Sequence, residues 1–134
     1  MLEPTGYAFG TKLPDAFFNR GNVRAAKGDM PGAAADYTRA IELDPGHAEA
    51  HCNRGNARSR LGDPDAAIAD YSRAIELDGK YVDAYYNRGS LRLSRGQAAL
   101  AVPDLEAALR LAAPDWSLRE RAEALLRDTR ASHP

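Results

Sequence analysis

The chain has 134 residues, and its 18 Lys or Arg residues are almost balanced by 19 Asp or Glu residues, giving a formal net charge of -1. Proteins that bind a nucleic-acid backbone usually carry a clear excess of basic residues, so this balance argues against nucleic acid as a partner. The single cysteine excludes a disulfide within the chain and a zinc site built from several cysteines.

The apolar stretches of the chain are short and are interrupted by Arg, Asp or Gly, so membrane insertion is not expected. Residues 1–6 lack the basic start and the apolar core of a secretion signal. Together these features predict a cytoplasmic protein.

Residues 1–13 form an N-terminal extension ahead of the repeated part of the chain. The segment contains glycine beside Tyr7, Phe9 and Leu13. We predict irregular structure here, and two placements stay open: disorder, or packing over the first helix.

A 34-residue repeat follows the extension. The triplet Asn-Arg-Gly starts at Asn19, Asn53 and Asn87, so its copies are 34 residues apart. A fixed period of this length indicates one structural unit that has been copied and stacked. In register, the repeats span residues 14–47, 48–81 and 82–115.

Each repeat predicts two helices joined by a turn. The first helix ends at a glycine, which tolerates the left-handed conformation of a helix end: Gly28, Gly62 and Gly96. In the first two repeats Asp29 or Asp63 caps the second helix, and a proline opens it. The second helix has apolar residues every three or four positions. In the third repeat, Pro103 predicts a shortened or bent second helix.

Three glycines fall inside the first helices, at Gly21, Gly55 and Gly89. Glycine in a helix interior is about 1 kcal/mol less favourable than alanine, so three occurrences at one position of the repeat need a reason. We predict a close approach of the second helix, whose matching small residues are Ala33, Ala67 and Ala101.

Residues 116–132 predict a seventh helix after the third repeat. Asp115 is placed to cap it, and its apolar stripe consists of Leu118, Ala122, Leu125 and Leu126. Because a stack of repeats ends in an exposed apolar face, we expect this helix to cover that face.

The repeat resembles the tetratricopeptide repeat. The resemblance rests on the 34-residue spacing, on small residues in register, on a bulky residue four before an internal glycine (Phe17, Tyr85), and on Pro45 at a repeat boundary. It implies an all-α fold: an α-solenoid of three tetratricopeptide helix–turn–helix repeats plus a C-terminal capping helix. It also implies a protein–protein interaction module, an adaptor or scaffold.

By this resemblance, the first helix of each repeat lines a concave groove that binds a peptide segment of a partner. An amide side chain offers both a donor and an acceptor to a peptide backbone, and asparagines recur on these helices. The predicted groove residues are Asp15, Phe18, Asn19, Asn22, Glu49, Asn53, Asn56, Arg60, Asp83, Tyr86, Asn87 and Ser90. The alternative is that the asparagines only tie neighbouring helices together.

Some members of the family hold the C-terminal carboxylate of a chaperone with lysine, asparagine and arginine. Asn19 and Asn53 match that pattern here. However, the lysine positions hold Asp15 and Asp83, and the arginine position holds Asn87. Acidic side chains repel a carboxylate, so the resemblance predicts a groove of another kind, with a neutral or basic ligand.

Arginines recur in i,i+4 pairs on the first helices, at Arg20/Arg24, Arg54/Arg58 and Arg88/Arg92. Such pairs could form a basic stripe for nucleic acid. An acidic residue recurs with the same period on the second helices, at Asp36, Asp70 and Asp104. We therefore predict salt bridges that join the two helices of each repeat.

His47 and His51 are four residues apart, with Glu49 between them and Cys52 next to them, a spacing that suggests a metal site. Yet His51 occupies the packing position that Phe17 and Tyr85 hold in the other repeats, so we predict structural histidines. Cys52 has no histidine–acid relay and is not expected to be a nucleophile.

The sequence contains no motif typical of an enzyme, so we expect neither catalysis nor a cofactor. The predicted function is therefore a protein–protein interaction module with a protein or peptide partner. The alternative is a self-assembling structural scaffold, in which repeat ends stack into a homo-oligomer through Phe17 and Phe18 at the N-terminal end.

Overall fold

The computed structural model describes Tyr7, Ala8 and residues 11–132, with side chains described from Lys12 onward. In this part of the chain, two short strands precede seven helices. The elements are β1 (Tyr7–Ala8), β2 (Thr11–Lys12), α1 (Leu13–Ala26), α2 (Met30–Leu43), α3 (Ala48–Arg60), α4 (Pro64–Leu77), α5 (Val82–Ser94), α6 (Ala98–Leu111) and α7 (Arg119–Ser132). They belong to two compact units, Met1–Leu77 and Asp78–Pro134, called the first and second unit below.

The N-terminal extension is partly regular. β1 and β2 pair in antiparallel fashion, with Tyr7 opposite Lys12 and Ala8 opposite Thr11, and both strands contact α1. The prediction of irregular structure is therefore wrong at these residues, because strand pairing satisfies backbone groups that an irregular segment would leave to water. Phe9 lies outside the described residues.

The helix ends follow the sequence signals. Gly28, Gly62 and Gly96 have φ values of 86°, 83° and 74°, in the left-handed region that favours glycine. Asp29 Oδ1 accepts a hydrogen bond from the Gly32 backbone N–H at 2.9 Å, and Asp63 Oδ1 accepts one from Ala66 at 3.3 Å. The predicted turns and caps of the first two repeats are confirmed.

The internal glycines lie where the second helix comes close. A Cβ atom on Gly21 would lie 2.8 Å from Tyr37 Cε1, and one on Gly55 would lie 2.7 Å from Tyr71 Cε1. At Gly89 the corresponding distance to Asp104 Cβ is 3.1 Å. The predicted close approach is confirmed. In the first unit a tyrosine ring lies nearest, and at Gly55 the carbonyl oxygen of Ala67, one of the expected small residues, also lies 3.2 Å from the added Cβ.

The predicted Arg–Asp bridges are also confirmed. Asp70 accepts hydrogen bonds from Arg54 Nε at 3.0 Å, Arg54 Nη2 at 2.8 Å and Arg58 Nη1 at 2.9 Å. Its side chain is 5% exposed. The other repeats have the same arrangement, formed by Arg20, Arg24 and Asp36 and by Arg88, Arg92 and Asp104.

The core near the start of the first unit contains Phe17, which packs with Ala40 of α2 and Ala50 of α3. Phe17 is 1% exposed, and the Arg39 guanidinium lies 5.2 Å from its ring centroid. The suggestion that Phe17 offers an exposed contact for stacking between molecules is therefore wrong, because its ring is already buried within the unit.

In the second unit α6 runs unbroken through Pro103, so the predicted shortening is wrong. Proline removes one backbone hydrogen bond to the residue four before it. Pro103 and Ala99 are both exposed, so the Ala99 carbonyl can meet water instead.

The capping helix begins later than predicted, at Arg119 and not at residue 116, so Asp115 does not cap it. Trp116 lies in the loop between α6 and α7, and its indole contacts Asp83 of α5. Ala122 and Leu126 of α7 are buried against Leu105 and Ala108 of α6, as expected for a covering helix. None of the helices described here is long and apolar enough to cross a membrane.

Candidate functional site

The first helices of the repeats carry all five asparagines of the chain: Asn19 and Asn22 on α1, Asn53 and Asn56 on α3, and Asn87 on α5. A spacing of three residues places two side chains on the same side of a helix. Asn19 and Asn56 are exposed, whereas the other three are half-buried.

In the first unit, the second asparagine of each first helix accepts a hydrogen bond from a tyrosine of the second helix. Tyr37 donates its hydroxyl hydrogen to Asn22 Oδ1 at 2.6 Å, and Tyr71 donates to Asn56 Oδ1 at the same distance. Burial raises the pKa of Tyr37 above its ordinary value, so the hydroxyl stays protonated and remains a donor.

Asn22 also links α1 to α3, because its Oδ1 accepts a second hydrogen bond from Asn53 Nδ2 at 3.0 Å. The interpretation that asparagines tie neighbouring helices is thus correct for this pair. The same bonds hold the amide groups in fixed orientations. Asn19 forms no side-chain hydrogen bond with any described residue, and its amide is exposed.

His47, at the start of α3, lies beside Asp15 of α1. Its Nδ1 accepts a hydrogen bond from the Ala50 backbone N–H at 3.2 Å, and its Nε2 lies 3.6 Å from Asp15 Oδ1. The Phe18 ring packs on the imidazole with centroids 4.6 Å apart. Hence Asp15 and Phe18, both predicted groove residues, lie together at one helix start. Glu49 and Arg60 are exposed on α3.

His51 is buried, and its Nε2 lies 3.0 Å from the Pro45 carbonyl oxygen. Burial lowers the pKa of His51, so the neutral ring is favoured. Cys52 is 2% exposed. These contacts agree with structural roles, and within the described ranges no three His, Cys, Asp or Glu side chains group closely enough to hold a metal ion.

In the second unit the predicted residues meet Trp116, whose role the sequence did not indicate. The indole Nε1 donates to Asp83 Oδ1 at 3.1 Å, and the ring packs edge-on against Tyr86 at 5.5 Å between centroids. Tyr86 is 7% exposed and belongs to the core of this unit. The sequence predicts a helix over residues 116–132, and no pattern in it indicates that Trp116 contacts α5 instead.

A cavity of about 590 Å³ opens beside α5 in the second unit. Its lining combines two predicted groove residues with five that were not predicted: Tyr86 and Ser90, then Leu93, Ser94, Leu118, Arg121 and Leu125. Ser90 Oγ is buried and has no hydrogen-bond partner among the described residues.

The sequence does contain a signal for this difference. The repeat position of Asn22 and Asn56 holds Ser90 in the third repeat, and the position of Tyr37 and Tyr71 holds Leu105. Both members of the hydrogen-bonded pair therefore differ in the third repeat. Ser90 has no tyrosine donor, whereas Asn22 and Asn56 have one.

Comparisons with known proteins agree with this architecture. Family models described as "Tetratricopeptide repeat" match residues 48–81 and 82–115, and one described as "TPR repeat" matches residues 21–62. No curated protein matches the chain.

Among solved structures, the Arabidopsis OM64 TPR domain is 31% identical with a TM-score of 0.79, over 86% of this chain and 94% of that one. The TPR2B domain of yeast Sti1 in complex with pHsp70 is 26% identical with a TM-score of 0.83, over 90% and 98%. The first TPR of Spaghetti (RPAP3) bound to HSP90 peptide SRMEEVD is 27% identical with a TM-score of 0.81, over 89% and 91%. These likenesses confirm the predicted all-α helical-repeat solenoid.

Proposed function

Because the chain belongs to the tetratricopeptide repeat family, we propose that it is a protein–protein interaction module that binds a peptide segment of a partner protein. Two structures that it resembles at 26–27% identity contain such ligands, the HSP90 peptide SRMEEVD in one and pHsp70 in the other. The proposed role is that of an adaptor or scaffold, which binds and does not catalyse.

The observation that supports this proposal most directly is the set of amides on the first helices. Asn22 and Asn56 are held by tyrosine hydroxyls at 2.6 Å, and Asn53 is held by Asn22. Amides that are already oriented lose little freedom when a ligand binds. Asn19 is exposed on the same side of α1 and can offer both a donor and an acceptor to a peptide backbone.

The charges favour a neutral or basic segment at these helices. Asp15, Glu49 and Asp83 are exposed, and two of them stand where clamp-type members of the family have lysine. An acidic ligand would therefore meet like charges. We expect the peptide SRMEEVD to bind this protein at least about tenfold more weakly than a peptide chosen for it.

The test uses peptides selected on the whole protein from a random library displayed on phage. Their affinities are then measured by fluorescence polarisation for the wild type and for the Asn19→Ala and Asn53→Ala variants. Each variant removes one or two hydrogen bonds, so we expect affinity to fall by about tenfold. Asn19→Ala is the sharper of the two, because Asn53 also bonds to Asn22 within the protein.

Glu42→Ala on α2 provides the control, since Glu42 is exposed and lies 3.8 Å from Arg39 in a weak surface pair. Its affinity should match that of the wild type, and circular dichroism should show the same helicity in all variants. If the selected peptides bind the asparagine variants as tightly as the wild type, these helices are not the binding face.

A further inference from the structure

We propose that His47 is a pH-sensitive cap of α3, and that its imidazole exchanges the Ala50 backbone N–H for the Asp15 carboxylate when it takes up a proton. The neutral ring holds the first turn of α3, and the charged ring pairs with α1. This device is independent of the proposed peptide binding, although Asp15 belongs to the predicted groove residues.

The capping contact of His47 requires a neutral imidazole. His47 is the N-cap residue of α3, and its Nδ1 accepts a hydrogen bond from the Ala50 backbone N–H at 3.2 Å. The first N–H groups of a helix have no partner within the helix, so an acceptor at this position stabilises the helix start. A ring nitrogen that accepts a hydrogen bond carries no hydrogen, and the hydrogen of the neutral ring therefore lies on Nε2.

Protonation of the ring would abolish this cap. An imidazolium offers only donors, so a hydrogen on Nδ1 would face the hydrogen of the Ala50 N–H. The N-terminus of a helix also carries partial positive charge and favours anions over cations. Both effects make the charged ring unfavourable in its capping position.

Asp15 of α1 offers the charged ring another partner. His47 Nε2 lies 3.6 Å from Asp15 Oδ1, which is within ion-pair distance but beyond the length of a good hydrogen bond. A neutral ring gains little at this separation, whereas an imidazolium is attracted to the carboxylate. Movement of the ring toward Asp15 would close the ion pair and leave the Ala50 N–H to water.

The other titratable groups around this junction favour the same exchange. Asp44, in the turn before α3, and Glu49, on α3 itself, are both exposed acids. From α2, Tyr37 packs against Phe18, whose ring lies on the imidazole. Burial raises the pKa of Tyr37, so this group stays neutral. The nearby charges are therefore negative and attract a cation.

The third repeat begins without such a cap. Tyr81 occupies the position of His47 and is the N-cap residue of α5, but its side chain forms no capping hydrogen bond. Histidine is the side chain whose ordinary charge change falls between about pH 5 and 8, whereas tyrosine stays neutral there. Sensitivity to pH at the start of a first helix is thus specific to α3.

The experiment follows the whole protein by NMR between about pH 7.5 and about pH 5.5, where histidine side chains change charge. At the upper end, the imidazole nitrogen shifts of the wild type should identify the form with its hydrogen on Nε2. As the pH falls, protection of the Ala50 amide against hydrogen exchange should drop about tenfold, because its acceptor is lost.

His47→Asn is the decisive variant. Its amide oxygen can accept the same hydrogen bond at any pH, so protection of the Ala50 amide should stay constant. Asp15→Asn keeps the neutral cap but removes the partner of the charged ring, and the loss of protection should move to lower pH. Glu42→Gln removes an exposed acid on α2 and is the control, which should behave as the wild type.

The inference is overturned if the wild-type ring carries its hydrogen on Nδ1 at about pH 7.5, or if protection of the Ala50 amide does not change with pH. An equal loss of protection in His47→Asn would overturn it too, since His51 is present in both proteins and its own titration cannot produce a difference. The first two results need no variant, so they decide even if a substitution perturbs the fold. No peptide takes part, so failure of the proposed function leaves these measurements unaffected.

Discussion

Replacement of Asp70 by alanine should destabilise the protein strongly. The Asp70 carboxylate receives three hydrogen bonds from Arg54 and Arg58, and its side chain is 5% exposed. Alanine would leave Arg58 without this partner and Arg54 with only its bond to Thr38 Oγ1 at 3.2 Å. Because such groups are costly to leave unpaired away from water, the loss should exceed that of an ordinary hydrogen bond.

The magnitude follows from how deeply the arginines are buried. Breaking a fully buried ion pair typically destabilises a protein by about 3–5 kcal/mol. The Arg54 and Arg58 side chains are 14% and 32% exposed, so water can partly replace the lost contacts. We therefore expect a loss of about 2–4 kcal/mol, which is a large part of the stability of a small domain.

Urea unfolding followed by circular dichroism at 222 nm measures this loss. With a urea dependence of about 2 kcal/mol per molar, the midpoint should fall by roughly 1–2 M. Arg58→Ala should have a smaller effect of about 1–2 kcal/mol, because Asp70 keeps its two bonds from Arg54. Glu76→Ala, which breaks an exposed pair with Arg73 at 2.9 Å, should change stability by about 0–1 kcal/mol.

The order of these effects is the decisive result. If Asp70→Ala unfolds at the same urea concentration as Glu76→Ala, with unchanged slopes, then the buried carboxylate contributes no more than a surface pair. In that case the recurring Arg–Asp arrangement would not stabilise the contact between the two helices of a repeat.

Three further changes test the packing of the first unit. Gly55→Ala should destabilise the protein by about 1–2 kcal/mol in urea, because the new Cβ would lie 2.7 Å from Tyr71 Cε1, whereas Gly79→Ala, with open space around it, should change stability by less than about 0.5 kcal/mol. Tyr71→Phe should lower stability by about 0.5–1.5 kcal/mol, since Asn56 Oδ1 loses its hydroxyl donor, and an unchanged urea midpoint would show that this bond contributes nothing. His51→Tyr should reduce the pH dependence of stability: burial lowers the pKa of His51, so the unfolded chain takes up a proton first as the pH falls below about 6.5, and stability is lost from there down to the folded pKa. Urea midpoints at about pH 7.5 and about pH 5.5 measure this effect, and equal pH dependence in wild type and variant would contradict it.

The helices could be predicted from the sequence because the signals for them are local and repeated. Gly28, Gly62 and Gly96 end three helices at one position of the repeat, and each has the positive φ that glycine allows. The Arg–Asp bridges could also be predicted, because opposite charges recur with the same period on the two helices of each repeat.

The departures arise where a contact depends on the particular fold. β1 and β2 are two residues each, too short for any period to be visible, and they pair while lying against α1. Trp116 falls outside α7 although its neighbours suit a helix, and its indole contacts Asp83, 33 residues earlier in the chain. No local pattern reports such a partner.

The candidate site, too, could be predicted only in part from the sequence. The asparagines could be placed on the first helices from their spacing, but their bonds to Tyr37 and Tyr71 became apparent only in three dimensions. Arg121 lies 34 residues after Asn87, in register with the repeated asparagines, but that it lines a cavity together with residues of α5 became apparent only from the structure.

The third repeat shows why departures from a repeat are informative. Leu105 is fully buried in the core of the second unit. Compared with Tyr37 and Tyr71, Leu105 lacks a hydroxyl donor. Ser90 occupies the position of Asn22 and Asn56, the residues that accept this hydrogen bond in the other repeats. Paired changes of this kind remove an internal hydrogen bond and leave the Ser90 hydroxyl without a partner among the described residues.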